Sequence, residues 1–309
     1  MDFLVGVLQA TIRAGTPILL AATGSILVER SGVMNLGIEG IMLMGAIGGF
    51  ATAITTSNLF LALLVAALMG AMLGLIHAWV SISLRVNQVV SGLAIAMLGG
   101  GISGIWGRGF IGRTAARFEP IPVPLLSEIP LLGPTLFRQD LLVYASLLLV
   151  IALWVFLFRT RGGMVLRSVG EAPDAADARG ISVYGVRYLA TVCGCAIVAI
   201  GGAYLSLAYT SMWIENMTAG RGWITVALVI FSTWDPLKAL LGAYIFGGVT
   251  AIQLRLQTIG VNISSHILMM FPYLATLIVI VLFNSSERIR RRMGVPSQLG
   301  IPYSREDKS

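Results

Sequence analysis

Apolar residues run in long unbroken stretches along this chain, and polar residues collect in short gaps between them. Stretches near 4–27, 38–57, 59–83, 87–106, 140–158, 185–209, 237–255 and 265–283 each approach or exceed twenty residues. That is the length an α-helix needs to cross a bilayer. A ninth, near 222–235, is short and reads as a half-helix. The runs are continuous rather than alternating, which predicts helices and not a barrel. The expected fold is an all-α integral membrane bundle of about eight or nine transmembrane helices over 1–283, followed by a basic tail, 284–309. The start Met1-Asp2-Phe3 lacks a basic leader and a small-residue cleavage motif, so the first run reads as an uncleaved span.

The longest polar gap between well-formed runs, 159–187, holds eight charged residues (Arg159, Arg161, Arg167, Glu171, Asp174, Asp177, Arg179 and Arg187). At roughly 3 kcal/mol per charge at a helix centre, it cannot lie in lipid. It still encodes a short helix. Pro173 suits the first helical position, acids occupy the first turn, Arg179 the last, and Gly180 can end it. Such a helix is too short to hold alone in water. Its alanines, Ala172, Ala175, Ala176 and Ala178, allow another protein surface to come close, so it reads as a docking helix.

Lysine and arginine near the run ends set the orientation. The basic stretch after Phe283 places the C-terminus in the cytoplasm, together with 159–187, Arg30, Arg85 and Lys238. The same count puts the N-terminus outside, along with the 107–139 loop and its four arginines.

Two gaps combine acid, asparagine and glycine: 29–40, ERSGVMNLGIEG, and 215–222, ENMTAGRG. One opens from each side of the membrane. This is the pattern of two inverted repeats, roughly 1–106 and 185–283, each with a broken helix. Polar residues in or beside spans are costly and mark pathways. The candidates are Asn35, Glu39, Asn87, Gln88, Ser91, Glu215, Asn216, Arg221 and Trp223. For Asn87, Gln88 and Ser91 a plain helix start is an equal alternative, and for Glu39 a helix cap. Glu29 and Arg30 read as an interfacial pair, and Asp235 with Lys238 as a helix start with a local ion pair.

Small residues recur every fourth position in three runs: Ala62 to Ala78, Gly92 to Gly104, and Ala239 to Ala251. Such stripes let backbones approach closely in lipid, and packing within the bundle is their leading reading.

Composition agrees with the pattern: 57% hydrophobic and 11% charged residues, against about 25% charged in soluble domains. Cys193 and Cys195 point to different faces of a helix and read as packing residues, while His77 and His266 lack companion ligands for a metal. The two lysines, Lys238 and Lys308, do not end a phosphate-binding loop, so the chain carries no ATP site of that kind. Motifs for hydrolytic or zinc chemistry are missing as well. A chain with a docking helix and no energy source of its own needs a partner.

The segments 29–46 (ERSGVMNLGIEGIMLMGA), 220–247 (GRGWITVALVIFSTWDPLKALLGAYIFG) and 251–260 (AIQLRLQTIG) resemble permease subunits of ABC importers for nucleosides and simple sugars. That group is related to branched-chain amino acid and ribose permeases. The segment 166–183 resembles the family's cytoplasmic coupling loop, with Gly170, Glu171, Ala176 and Gly180 at matching positions. The likeness covers nearly the whole chain. Ser232, Thr233, Asp235 and Lys238 depart from the family's usual residues at a turn expected to face the cytoplasm.

The resemblance implies a bacterial inner-membrane permease taking up nucleosides or simple sugars. It implies an ABC ATPase subunit, a second and non-identical permease, and an extracytoplasmic substrate-binding protein as partners, within a lipid bilayer. No cofactor and no nucleic-acid partner is expected. Coupling to the ATPase would fall to Arg167, Gly170, Glu171, Ala172, Pro173, Ala176, Arg179 and Gly180. Branched-chain amino acids are the alternative cargo. An ion-coupled transporter working alone is the competing mechanism, and it is disfavoured because the acids cluster at breaks and loops instead of mid-span.

Overall fold

A computed structural model describes residues 2–129, 132–258, 270–271, 274 and 294–305. The elements in chain order are α1 (Asp2–Glu29), α2 (Ile38–Thr56), α3 (Leu59–Ala78), α4 (Gln88–Gly107), β1 (Pro120–Pro122), α5 (Leu132–Leu136), β2 (Arg138–Asp140), α6 (Leu141–Arg159), α7 (Arg161–Glu171), α8 (Pro173–Ala178), α9 (Val183–Tyr204), α10 (Arg221–Phe231) and α11 (Pro236–Thr258). Single π-helical turns, Trp79–Ser83 and Leu205–Tyr209, extend α3 and α9. Among the described residues seven helices are long and apolar enough to cross a membrane: α1, α2, α3, α4, α6, α9 and α11. They coincide with the first seven full-length runs. Of the expected span at 265–283 only residues 270–271 and 274 are described, and the boundary at 283, His266 and the basic stretch from 284 to 293 lie outside the described residues.

Two spans form the centre. The apolar window of α2 is 83% buried and that of α9 67%, while those of α3 and α4 are only 28% buried. The centre is dense because glycines on one helix meet backbone on another. A Cβ at Gly45 of α2 would collide with the carbonyl of Ala199, and one at Gly202 of α9 with that of Met42. The glycines of the first small-residue stripe lie on α9: Gly70 meets Cys195 O and Gly74 the Cys195 side chain. The third packs on α1, with Gly247 against Thr11 and Gly15.

The second stripe is displaced from its expected line. Gly92 is buried against Leu36, but the helix then buries Ile95, Gly99 and Ser103, leaving Ala96, Gly100 and Gly104 half-exposed. The reason is the closest approach of α4 to α2, which runs through Gly99 and Gly40.

The bundle has two distinct ends. At one, Arg30 donates to the carbonyls of Thr233, Trp234 and Gly294, Arg85 reaches Tyr184, and Gln298 N donates to Gly170 O. This end therefore gathers Arg30, Arg85, α7, α8, the 232–235 turn and the segment 294–305. At the other end Gln9 donates to Pro134 O, Phe118 N to Leu207 O, and the antiparallel pair β1–β2 ties the loop after α4 to the start of α6. Arg30, Arg85 and the 159–187 gap thus share one end, and the start of the first helix and the 107–139 loop share the other, as grouped from sequence.

Candidate functional site: two broken helices joined by one carboxylate

Both gaps are non-helical and they meet, but the first separates two full-length spans, α1 and α2, and only the second leads into a half-helix. After α1 the chain turns at Gly32 (φ +90°), runs without helix to Gly37, and starts α2 at Ile38. After α9 it leaves helix at Thr210 and re-enters at Arg221, through the positive-φ residues Asn216, Ala219 and Gly220. The half-helix expectation is met by α10, eleven residues long.

Glu39, in the first turn of α2, joins the breaks. Its Oε1 accepts from Thr218 Oγ1 at 2.6 Å and Gly220 N at 2.9 Å, and its Oε2 from Gly222 N at 2.7 Å. Helix N-termini carry unsatisfied N–H groups and a partial positive charge. The carboxylate is thus held by the N-terminal amides of α10 while lying in the first turn of α2. No side chain fits at position 222, where a Cβ would stand 2.5 Å from Glu39 N.

Beside this junction lies a cavity of about 550 Å³ lined by Tyr209, Asn216, Arg221, Thr250 and Gln253 and by apolar residues of α1, α10 and α11. Arg221 donates to the carbonyls of Met217 and Thr218, and its guanidinium lies 5.6 Å from the centre of the Tyr209 ring. Size and lining fit a small-molecule site, mostly apolar with a few convergent polar groups.

The other pathway candidates fall into two groups. Asn35, Gln88 and Ser91 support the first break. Asn35 is 1% exposed; its Oδ1 accepts from Gly37 N and its Nδ2 donates to Cys195 Sγ at 3.3 Å. Gln88 Oε1 accepts from Met34 N at 2.7 Å. His77 lies 2.9 Å from Ser91 Oγ and 3.0 Å from Met34 O, so side chains of α3 and α4 satisfy unwound backbone that lipid could not. Asn87 caps α4 through Val89 N and Val90 N, while Glu215 and Trp223 are exposed. Sequence reasoning passed over His77, Tyr209, Thr218 and Gln253. Thr218 sits inside the second motif, but the others come from distant helices, and no spacing signals them.

The Glu29–Arg30 pair does not form. Glu29 turns inward, accepting from Trp234 Nε1 at 2.6 Å and Ser25 Oγ at 3.1 Å, and Arg30 is spent on backbone carbonyls. Burial pushes the Arg30 guanidinium down from its usual pKa, and the nearby Glu171 carboxylate opposes that shift. Asp235 caps α11 at Leu237 N, but Lys238 donates to Thr233 Oγ1 instead of the acid.

The short helix α8 has the expected limits. Pro173 is its first residue, and Gly180 (φ +81°) closes it by donating to Asp177 O. Of its four alanines, three are exposed and Ala176 faces inward. Pro173 and Ala176 are buried against this chain, Ala176 in a cluster with Val169, Val183 and Tyr303. Ala172, Asp174, Ala175, Ala178, Arg179 and Gly180 remain exposed. Before it lies α7, an amphipathic helix not foreseen, whose Arg167 stacks on Phe158.

Seven apolar spans, two non-helical gaps joined through Glu39 beside a cavity, and a pair of surface helices at one end describe a multi-pass membrane protein. Residues 7–285 match the family described as the permease component of branched-chain amino acid transport systems, and the chain belongs to that family. TsgC13 of Haloferax volcanii, which carries the name of a glucose ABC transporter permease, is 39% identical over 99% of each chain. The nucleoside ABC transporter permease NupC of Lactococcus lactis is 34% identical over 87% of this chain and 89% of its own. The fold is similar to that of an inward-facing metal-chelate-type ABC transporter (TM-score 0.50, 14% identity, 89% and 85% of the two chains). The protein is a multi-pass membrane permease subunit of an ABC transporter.

Proposed function

We propose that this permease forms the translocation pathway of an ATP-driven importer for nucleosides. The Glu39 junction carries the reading, because it ties α10, and with it the cavity wall of Asn216 and Arg221, to the α1–α2 break. Tyr209 and Arg221 offer stacking surfaces and Asn216, Thr250 and Gln253 polar groups, chemistry that suits a base carrying a sugar. Simple sugars are the second reading, supported by the likeness to TsgC13.

The end bearing α7, α8, Arg30, Arg85 and residues 294–305 faces the cytoplasm, following the positive-inside rule. There the exposed side of α8, with Glu171 and Arg179, meets a separate ATPase, while Arg167, Gly170, Pro173 and Ala176 hold it from within. A second permease, a non-identical paralogue, completes the pathway, and a substrate-binding protein delivers cargo from outside. ATP binding closes the ATPase, drags α7–α8 and rocks the bundle between its two openings.

Thermal shift of the cognate substrate-binding protein tests the cargo. Guanosine or uridine raising its melting temperature, with glucose and leucine inert, is the expected outcome. A shift with glucose alone selects the second reading, and one with leucine alone contradicts both.

A further inference from the structure

The segment 294–305 is too short to span a membrane and reads from sequence as part of a basic tail, yet it is bonded along its length. Ser297 donates through N and Oγ to Glu171 Oε2, at 3.1 and 2.7 Å. Gln298 N donates to Gly170 O at 3.0 Å, and Gly300 N to Gly32 O at 3.1 Å. Arg187 Nη1 donates to Ile301 O and Tyr184 OH to Tyr303 O, while Arg305 pairs with Asp177 at 2.9 Å. The Tyr303 ring is 7% exposed and packs on Val169, Ala176 and Val183. One stretch thus touches α7, α8, the start of α9 and the turn that opens the α1–α2 break. Beneath it the contact is tight: a Cβ on Gly170 would collide with Arg30 O and stand 3.2 Å from Gly32 N. Gly300, at φ +79°, makes the turn that lets the strand reach both glycines.

We propose that residues 294–305 are a positioning strap. They supply the packing that a six-residue helix cannot supply for itself, and they clamp α7–α8 to Gly32, seven residues before Glu39. Displacement of the coupling helices is then passed to the first break and on to α10, instead of being lost in a loose surface loop. The proposal rests on the reading of the chain as an ATP-coupled permease.

The test uses the complex purified with its ATPase and reconstituted in liposomes, with Gly300→Val, Tyr303→Ala and the milder Ser297→Ala. ATP hydrolysis and labelled guanosine or glucose uptake are read on the same vesicles, and amide hydrogen exchange over 172–182 on the same preparation. Gly300→Val and Tyr303→Ala should exchange about tenfold faster across α8 and retain hydrolysis, with uptake per ATP falling about fivefold. Ser297→Ala, which removes one exposed hydroxyl contact, should move both readouts the same way by about twofold. Unchanged exchange, or faster exchange with an unchanged uptake-to-hydrolysis ratio, overturns the strap. A wild-type complex that hydrolyses ATP without importing either solute contradicts the transport reading, and exchange still judges the strap.

Discussion

Glu39 is the side chain that ties the start of α2 to the start of α10. Glu39 accepts three hydrogen bonds, two of them from backbone amides at the start of α10. Bonds to a charged acceptor contribute about 1.5–3 kcal/mol each, and leaving a buried amide unpaired costs a similar amount. Glu39→Gln places an amide where Glu39 now only accepts, so at least one of the three donors loses its partner. The expected outcome is normal membrane insertion, a destabilisation of about 2 kcal/mol and uptake lowered tenfold or more, read by melting in detergent and by transport. Arg221→Ala should lower uptake about tenfold without reducing co-purification of the ATPase, since Arg221 lines the cavity and lies away from α8. Equal uptake would reduce its break to packing. Glu39 could be singled out from sequence as an acid beside an apolar run. Its partners could not, because Thr218 and Gly222 are some 180 residues away, and only the fold brings them within bonding distance.

At the scale of elements, period and length did most of the work. Runs of about twenty apolar residues became spans, and the Pro173 to Gly180 signals became α8 with the same limits. Local signals fix local structure, since caps and breakers act within one turn. What failed to show was rotation and contact. The line of small residues on α4 turned by about one position because Gly40 and Gly99 set the approach, and α7 went unseen inside a gap read only as polar. Nor could the inward face of α8 be read, because Tyr303, which covers Ala176, follows it by more than a hundred residues. Gly180 stands at φ +81° with open space beside it, so a side chain there strains the backbone and projects from the face of α8 proposed to meet the ATPase. Gly180→Trp should leave the protein inserted and abolish ATP-driven uptake, as measured on membranes with matched permease content. Normal uptake would remove α8 from the docking surface.

The whole molecule distributes its tasks between ends and centre. Glycine-mediated contacts pack α2 and α9 into the middle, where side chains of α3 and α4 satisfy the unwound backbone of the first break. One end carries exposed helices held by the chain's own terminal segment, and the cavity lies beside the break leading to α10. An ion-coupled carrier would hold its driving charge within the spans. Here Glu29 is satisfied by Trp234 and Ser25, and Glu39 by the α10 amides, so both acids serve as structural joints. On the proposed function, energy arrives from a separate ATPase through α7 and α8. The most direct measurement is uptake of labelled guanosine and glucose into liposomes holding the permease complex, with its binding protein outside and ATP sealed inside. ATP-dependent accumulation that persists with ion gradients collapsed, and is lost in Gly180→Trp, is the predicted result. Accumulation driven by a proton or sodium gradient without ATP would contradict the account.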